Sequence, residues 1–330
     1  MTKKEIRNWL GDYIAMAAVW IAIVILFACL SENFFSWRTF STLANRIPAL
    51  AIISAGMTLV LIAGGIDLSV GSVLGLCGAL LGIAIADWHL PLAAALPLCA
   101  LAGLLVGFIN GGVTVKLNLP SFIVTLAMLE IARGLAYLVT ASQTKYIGAA
   151  VEGLARPVPG LRVSPSFLVA IAVVAICQVL LSQTVFGRYL VAVGANEPAT
   201  RLSGINPRPV KIAAFSLLGF LTGLASVFHT SRLGSADPNA GVGLELSAIA
   251  AVVIGGTSLM GGRGSVVNSF FGVLIIATLE AGLAHIGASE PVKRVVTGLV
   301  IVGAVMLDAW RHHIASPAAF LKKILRAKPA

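Results

Sequence analysis

The sequence has very little charge for its length. Asp, Glu, Lys and Arg make up 11% of the 330 residues, whereas hydrophobic residues make up 58% and the mean hydropathy is +0.98. A soluble globular domain carries about 25% charged residues, which cover the surface that faces water. The shortage of charge therefore excludes an ordinary soluble domain and predicts an integral membrane protein.

The sequence also lacks the motifs of several enzymes and metal sites. It contains no HExxH, no GxSxG and no GxxxxGKS or GxxxxGKT phosphate-binding loop. Its four cysteines stand apart in apolar runs, without a CxxC or Cys/His spacing, so we interpret them as small buried hydrophobic residues. We therefore expect no catalytic site, no metal and no cofactor on this chain.

Long apolar runs predict an all-α, polytopic helix bundle that forms a single membrane domain over residues 1–330. A helix needs about 20 apolar residues to cross the hydrocarbon core. About ten segments approach this length, and glycine breaks within them allow eight to ten spans. The candidate spans are Tyr13–Leu30, Ile47–Ala63, Val70–Ala86, Pro91–Asn110, Ser121–Val139, Phe167–Leu181, Ile212–Thr230, Leu246–Met260, Ser265–His285 and Val292–Trp310.

The excess of basic residues is explained by topology rather than by a nucleic-acid partner. The chain has 23 Lys and Arg against 13 Asp and Glu, for a net charge of +10. With both termini in the cytoplasm, 14 of the 23 basic residues lie inside, 8 lie outside and Arg133 lies in the membrane. This orientation places the connection 183–211 and the basic tail 311–330 in the cytoplasm, and the connections 31–46 and 140–166 outside.

The connection 183–211 is long and contains signals for a short helix. Asn196 is a good N-cap, and Glu197 and Pro198 suit a first helical turn. Gly204 suits the residue after the helix end. A helix of about two turns is not stable alone, so it is either a solvated connector or a docking element for a cytoplasmic protein. The candidate docking residues are Asn196, Glu197, Pro198, Ala199, Thr200, Arg201, Leu202 and Gly204.

Residues 64–71, GGIDLSVG, interrupt an apolar stretch with glycines and a carboxylate. They form either part of a translocation path or gate, or a plain cytoplasmic turn; in both cases we expect Asp67 to accept local backbone N–H bonds. Residues 255–262, GGTSLMGG, share the pattern GGxxLxxG and are either an echo of an internal repeat or a tight inside turn. The candidate path residues are Gly64, Gly65, Asp67, Ser69, Gly71, Gly255 and Gly256.

Polar residues elsewhere give three further expectations. Residues 234–245, GSADPNAGVGLE, should face outward and border the pore mouth, with Asp237, Asn239 and Glu245 as candidates. The spacing of Glu130 and Arg133 favours an ion pair that faces the bundle interior over a proton relay. Glu280 has no partner in its own helix and is expected to pair across the bundle.

Four blocks, in this order, resemble the permease subunits of bacterial ABC importers, specifically the ribose, xylose and galactoside branch. They are GMTLVLIAGGIDLSVGSVLGL at 56–76, LPSFIVTLAMLEIARGLAYLVT at 119–140, GRYLVAVGANEPATRLSGI at 187–205 and AAVVIGGTSLMGGRGSV at 250–266. With the pattern of spans, the resemblance covers most of the chain. The resemblance implies alanine at the position of Pro198, so the chain departs from the family pattern in the backbone of this segment.

The resemblance implies a multi-pass protein of the bacterial inner membrane that takes up a pentose or hexose. It implies a periplasmic sugar-binding protein that delivers the substrate, a second permease chain and a cytoplasmic ABC ATPase that binds ATP and Mg. The helix at Asn196–Gly204 would then be the coupling helix. Which sugar or other solute is carried, and whether the second permease is an identical chain or a paralogue, stay open.

An ion-coupled secondary transporter of a small polar solute is the alternative. Such a transporter would need no docking helix, and Asp67, Glu130 and Glu280 would carry the coupling ions.

Overall fold

The computed structural model describes residues 3–314, which are helical almost throughout. The tail predicted at 311–330 lies outside these residues from position 315 onward. The helices are α1 (Lys3–Leu30), α2 (Trp37–Arg46), α3 (Pro48–Ile62), α4 (Val70–Ala86), α5 (Leu92–Lys116), α6 (Ser121–Thr140), α7 (Gly148–Ala155), α8 (Pro165–Gln183), α9 (Val185–Ala195), α10 (Glu197–Leu202), α11 (Pro207–Leu233), α12 (Leu244–Ile254), α13 (Val266–His285) and α14 (Glu290–Ile314). The strands are β1 (Lys145–Tyr146) and β2 (Ser235–Ala236).

Helix lengths identify a polytopic membrane protein. Among the described residues, six helices are long and apolar enough to cross a membrane: α1 from Tyr13 onward, α5, α6, α8, α11 and α13. A seventh span results if α2 and α3, which meet at a bend of 51°, are counted together. Three of the ten predicted spans, those at α4, α12 and α14, are not among these seven, and α4 and α12 have only 17 and 11 residues. The count of about ten therefore stays a prediction.

The centre of the bundle is formed by α3 and α4. Every residue of α3 except Leu50 is buried, and α4 is buried except near its C-terminal end. The surrounding helices instead expose large apolar side chains, among them Ile25 of α1 and Leu105 of α5. A buried helix that is apolar on every side, within a ring whose outer surface is also apolar, is the arrangement expected where lipid replaces water.

Glycines let α5 and α11 approach closely. Gly103 and Gly107 of α5, four residues apart, face Gly219 of α11, and a methyl group on Gly103 would collide with the Gly219 carbonyl oxygen. Small residues at this spacing are typical of membrane helices whose backbones touch. The crossing fixes α5, and with it Asn110, against the centre of the bundle.

Two predicted connections are largely helical. Residues 31–46 contain α2, which begins after Ser36, whose Oγ accepts a hydrogen bond from the Thr39 N–H at 3.3 Å. Residues 183–211 contain both α9 and α10. Neither α2 nor α9 was predicted, because both helices are too short to span a membrane.

The bundle has two distinguishable ends. At the strand end, β1 and β2 pair antiparallel, with Lys145 opposite Ala236, and Lys145 also forms an ion pair with Asp87 at 2.9 Å. At the basic end, Lys116 closes α5, and Arg208 lies in the first turn of α11. Helix α11 has 27 residues, about 40 Å, and runs from the basic end to the strand end.

Candidate functional site

The break between α3 and α4 is organised around a buried carboxylate. Asp67 is 2% exposed, and its Oδ1 accepts hydrogen bonds from the Ser69 N–H at 2.8 Å and the Ser69 hydroxyl at 2.6 Å. The prediction that Asp67 accepts a local backbone N–H is confirmed. Its Oδ2 accepts from Asn110 Nδ2 of α5 at 3.2 Å. Sequence reasoning missed Asn110, although an amide inside an apolar run was a signal.

Two hydroxyls of α6 satisfy the backbone of the same break. Ser121 Oγ accepts from the Ile66 N–H at 2.9 Å, and Thr125 Oγ1 accepts from the Leu68 N–H at 3.1 Å. An unpaired backbone group away from water costs several kcal/mol, so these bonds hold the non-helical segment in one conformation. Asn110 precedes Lys116 by six residues, which places the break about 9 Å inside the basic end.

Glycines from three segments meet beside this break, and we name Gly64, Gly194, Gly261 and Gly262 the glycine junction. The Gly262 N–H donates to the Ile62 carbonyl oxygen at 2.9 Å. A Cβ on Gly194 would collide with that same carbonyl oxygen and lie 2.6 Å from the Gly262 nitrogen. The junction therefore joins the end of α9 to the end of α3 without room for a methyl group.

Residues 64–71 and 255–262, which share the pattern GGxxLxxG, meet in space. Their structures, however, do not match glycine for glycine as the pattern does. Gly64 and Gly256 both have a left-handed backbone, with φ of +78° and +80°, and each lies two residues after the last residue of a helix, in the same hydrogen-bond pattern. The first glycine of one segment thus matches the second glycine of the other. Because α10 and α13 end in the same way, this helix stop is no evidence for a repeat.

The remaining path candidates are packed against neighbouring elements. Gly255 is buried, and a Cβ there would lie 2.6 Å from the Asn268 carbonyl oxygen of α13. A Cβ on Gly71 would collide with the Glu245 carboxylate. Gly64 and Gly256 are exposed, whereas Gly65 and Ser69 are buried.

Helix α10 has the predicted caps. Asn196 Oδ1 accepts from the Ala199 N–H at 2.9 Å, and Gly204 follows the helix with φ of +83°. The buried Thr200 donates to the Ala192 carbonyl oxygen at 2.8 Å and fixes α10 on α9. Leu202 is 90% exposed and forms the outermost apolar group of this helix.

Glu197 faces its own chain. Its carboxylate forms ion pairs with Lys211 of α11 and, at 3.6 Å, with Arg201. These contacts hold α10 against the first turns of α11 at the basic end. The face of α10 that stays free carries Pro198, Ala199 and Leu202.

Residues 235–245 lie along a row of glycines on α4. A Cβ on Gly82 would lie 2.6 Å from Ala236 Cβ, one on Gly75 would lie 3.0 Å from the Ala240 carbonyl oxygen, and Gly71 packs against Glu245. From Gly82 to Gly71 is about 16 Å of helix. The expectation that 234–245 faces outward is therefore wrong for its second half, which enters the bundle because the glycines leave space for a backbone.

Arg133 of α6 holds this segment. Its Nη1 donates to the carbonyl oxygens of Pro238 and, at 3.0 Å, Ala240. The predicted Glu130–Arg133 ion pair is wrong: in the described part of the chain Arg133 bonds to these carbonyls, and Glu130 has no ion pair. The expectation for Glu280 is confirmed, because it pairs with Arg46 of α2 at 2.9 Å.

One face of the molecule combines exposed polar and apolar groups at the depth of a span. Glu130 is exposed in the middle of α6, and two turns further along this helix the Tyr137 hydroxyl donates to Oδ1 of the exposed Asn239. Val242, 69% exposed, and Leu246 lie nearby in sequence. We call Glu130, Tyr137 and Asn239 the polar face, whereas the half-buried Glu245 packs against Gly71 of α4. Asp237, another predicted mouth residue, lies next to the polar face, and its Oδ1 accepts a hydrogen bond from the Asn239 N–H at 2.8 Å.

The chain matches a family model described as branched-chain amino acid transport system / permease component over residues 39–305. It is 38% identical over 323 residues to the ribose import permease protein of Haemophilus influenzae, covering 93% of this chain and 98% of that protein. It is 41% identical over 296 residues to the ribose import permease protein of Bacillus subtilis, covering 87% and 89%. A fructose import permease protein of Rhizobium meliloti is 33% identical over 305 residues, covering 90% and 84%. No solved structure matches.

Proposed function

The chain belongs to the permease family described as branched-chain amino acid transport system / permease component, and we propose that it is the membrane-spanning pore subunit of an ATP-driven importer. The relatives named for ribose and fructose import support a sugar, a pentose or hexose, as the transported substrate. The chain carries no nucleotide-binding loop, so the energy would come from a separate ATPase that binds ATP and Mg. No cofactor, metal or catalytic site is proposed on this chain.

The observation that carries this proposal is the exposed face of α10. A six-residue helix would not persist alone in water, yet here it is capped by Asn196 and fixed on α9 and α11 by Thr200 and Glu197. Its outward side presents Leu202, Pro198 and Ala199. A rigid helix with an apolar tip suits docking into a groove of a cytoplasmic partner, which supports an ATPase contact here.

The translocation path is proposed along the polar face, between this chain and a second permease chain. A charged side chain in mid-span is costly against lipid and is tolerated beside water or another polar surface. Glu130, with Tyr137 and Asn239 further along the same face, fits a water-filled path for a hydroxyl-rich solute. Gly64, Asp67 and Gly256 would border its inner gate. Co-purification from the native host would show whether the second permease is an identical chain or a paralogue.

The orientation follows from the same proposal. The basic end with α10 would face the cytoplasm of a bacterium, and both termini would lie on that side of the inner membrane. The strand end, with the connection 140–166 and Asp237, would then meet a periplasmic sugar-binding protein. About ten spans, including α4, α12 and α14, complete this arrangement.

Co-purification from the native host tests the docking site. Leu202→Asp places a charge on the apolar tip of α10, and an interface hot spot contributes about 2 kcal/mol or more, so binding of the ATPase should fall about 30-fold. Leu161→Asp is the matched control, because Leu161 is equally an exposed leucine but lies in the connection between α7 and α8.

We expect a stoichiometric ATPase subunit with the wild-type chain and with Leu161→Asp, and little or none with Leu202→Asp. Sugar uptake should be lost together with the ATPase. A chain that purifies alone and still transports on an ion gradient would overturn the proposal and support the ion-coupled transporter.

A further inference from the structure

A basin at the basic end carries two cations, Lys116 and Arg208, that the function proposed above does not use. It has a volume of about 330 Å³ and lies between the end of α5, α10 and the first turns of α11. Among the residues that the structure describes, one carboxylate, that of Glu197, lines it together with four basic side chains: Lys116, Arg201, Arg208 and Lys211. We call it the basic basin.

The positive charge of the basic basin is only partly neutralised. Glu197 is paired with both Arg201 and Lys211. Lys116 and Arg208 form no ion pair with any carboxylate in the part of the chain that the structure describes, and both are exposed. The basin thus presents two free cations to an anion.

A polar atom without a partner lies under these cations. Thr114 lines the basic basin, and its Oγ1 is buried without a hydrogen-bond partner in the described structure. Buried hydroxyls are almost always hydrogen-bonded, and this one is half a turn before Lys116. A ligand with several oxygen acceptors could bond to it and to the cations together.

The rim of the basic basin is continuous with the lipid-facing surface. The turn after α5 exposes Leu117 to 64% and Leu119 to 42%, and Leu119 also lines the basin. Phe122 and Ile123, in the first turn of α6, extend this apolar surface along the span. A molecule with an anionic head and apolar tails fits both parts, whereas an acidic side chain of a folded partner would leave the leucines unused.

We propose that the basic basin binds the phosphate of an anionic phospholipid, with Lys116 and Arg208 as the pairing cations, Thr114 as a further hydrogen-bond donor and Leu117 and Leu119 against the acyl chains. Basic pockets between membrane helices near the interface bind such headgroups. The proposal requires only that the chain spans a membrane. If α10 docks an ATPase, the lipid would lie directly beside that contact, because Glu197 and Arg201 of α10 line the basin.

Lipid retention by the full chain tests this. The protein is purified in mild detergent from membranes that contain phosphatidylglycerol, and bound phosphatidylglycerol is measured by native mass spectrometry. A basic residue at an anionic surface contributes roughly fivefold in affinity, so Lys116→Gln with Arg208→Gln should weaken binding about 30-fold. The control, Arg38→Gln with Arg188→Gln, removes two exposed basic residues outside the basin.

Thr114→Val is a second variant, of nearly unchanged shape, and should weaken retention severalfold without unfolding the chain. We expect wild-type chain and control to retain about one phosphatidylglycerol each, to exchange it for added deuterium-labelled phosphatidylglycerol and not to lose it to millimolar inorganic phosphate.

Retention that is absent, or equal in the wild type and both variants, overturns the proposal. Displacement by inorganic phosphate alone would identify a site for free phosphate instead of lipid. Unchanged lipid with loss of a co-purifying ATPase would assign the basic basin to that partner. None of these readings uses transport, so failure here is separate from failure of the proposed function.

Discussion

Asp67 holds the break between α3 and α4 by accepting three hydrogen bonds. Two substitutions distinguish this structural role from a requirement for the negative charge of Asp67. Asp67→Ala would leave the Ser69 N–H, the Ser69 hydroxyl and the Asn110 amide without this acceptor. A buried group left unsatisfied costs about 1–3 kcal/mol, so we expect a loss of at least about 2 kcal/mol in stability. Thermal unfolding in detergent should show a midpoint lower by several degrees.

Asp67→Asn should be much milder. The new amide can keep its oxygen toward Ser69, and Asn110 can turn its own amide over to offer Oδ1, an atom that has no partner in the described structure. We expect less than half the loss seen with alanine, and sugar uptake that is largely retained. If asparagine abolishes uptake while the fold is intact, the charge itself is required, and the ion-coupled alternative gains support.

What could be predicted at Asp67 was local, and what was missed was distant in sequence. The bond from the Ser69 N–H spans two residues, so a carboxylate within a helix break was enough to predict that Asp67 accepts a local backbone N–H. Asn110 is 43 residues away, and nothing in its own surroundings indicates that it faces Asp67. Arg133 was misassigned for the same reason, since Glu130 is near in sequence but Pro238 and Ala240 lie closer in space.

The glycine junction makes α9 and the break between α3 and α4 one mechanical unit. Gly194→Ala would force a methyl group onto the Ile62 carbonyl oxygen and the Gly262 nitrogen. These are backbone atoms, which cannot turn aside as a side chain does, so α9 must shift. Helix α10 is fixed to α9 through Thr200 and would move with it. We expect sugar transported per ATP hydrolysed to fall at least about tenfold, a change of roughly 1.4 kcal/mol in coupling.

Gly112→Ala is the matched control for Gly194→Ala. Gly112 also lies within a helix, but nothing is within 4 Å of a Cβ placed there. Replacing it should leave transport unchanged and raise stability by about 0.5–1 kcal/mol, since alanine favours the helix. Assays of uptake and hydrolysis in the same vesicles check both variants. Equal coupling in the two would show that the junction does not transmit motion.

Among the helices, prediction succeeded where the signals are carried by neighbouring residues. Asn196 and Gly204 mark the two ends of α10 within nine residues, and both act as predicted. The sequence of α3 gives no such signal about its burial. A helix that is apolar on all sides has the same sequence pattern whether it faces lipid or is buried in protein. The burial of α3 and the entry of residues 235–245 along α4 follow from packing, which only the assembled bundle shows.

Basic residues that the sequence analysis assigned to the same side of the membrane lie at the same end of the molecule. Lys116, Arg201, Arg208 and Lys211 gather at the basic end, as expected for residues assigned together to the cytoplasm. Lys145 and Ala236, assigned to the outside, pair at the strand end. The structure thus places these basic residues together at one end, and that this end faces the cytoplasm stays a prediction of the positive-inside rule.

A reporter active only in the periplasm tests the orientation of the whole molecule. Fused at Ala330 it should be silent, whereas inserted after Gly160, in the connection between α7 and α8, it should be active. Fourteen of the 23 basic residues lie inside in this orientation. The reverse orientation would require loops rich in Lys and Arg to cross the membrane, which is unfavourable. An insertion after Gly204, beside α10, is the internal control and should be silent. Activity at Ala330 together with silence after Gly160 would invert the chain and place α10 out of reach of any cytoplasmic ATPase, whereas activity at both positions would mean an odd number of spans.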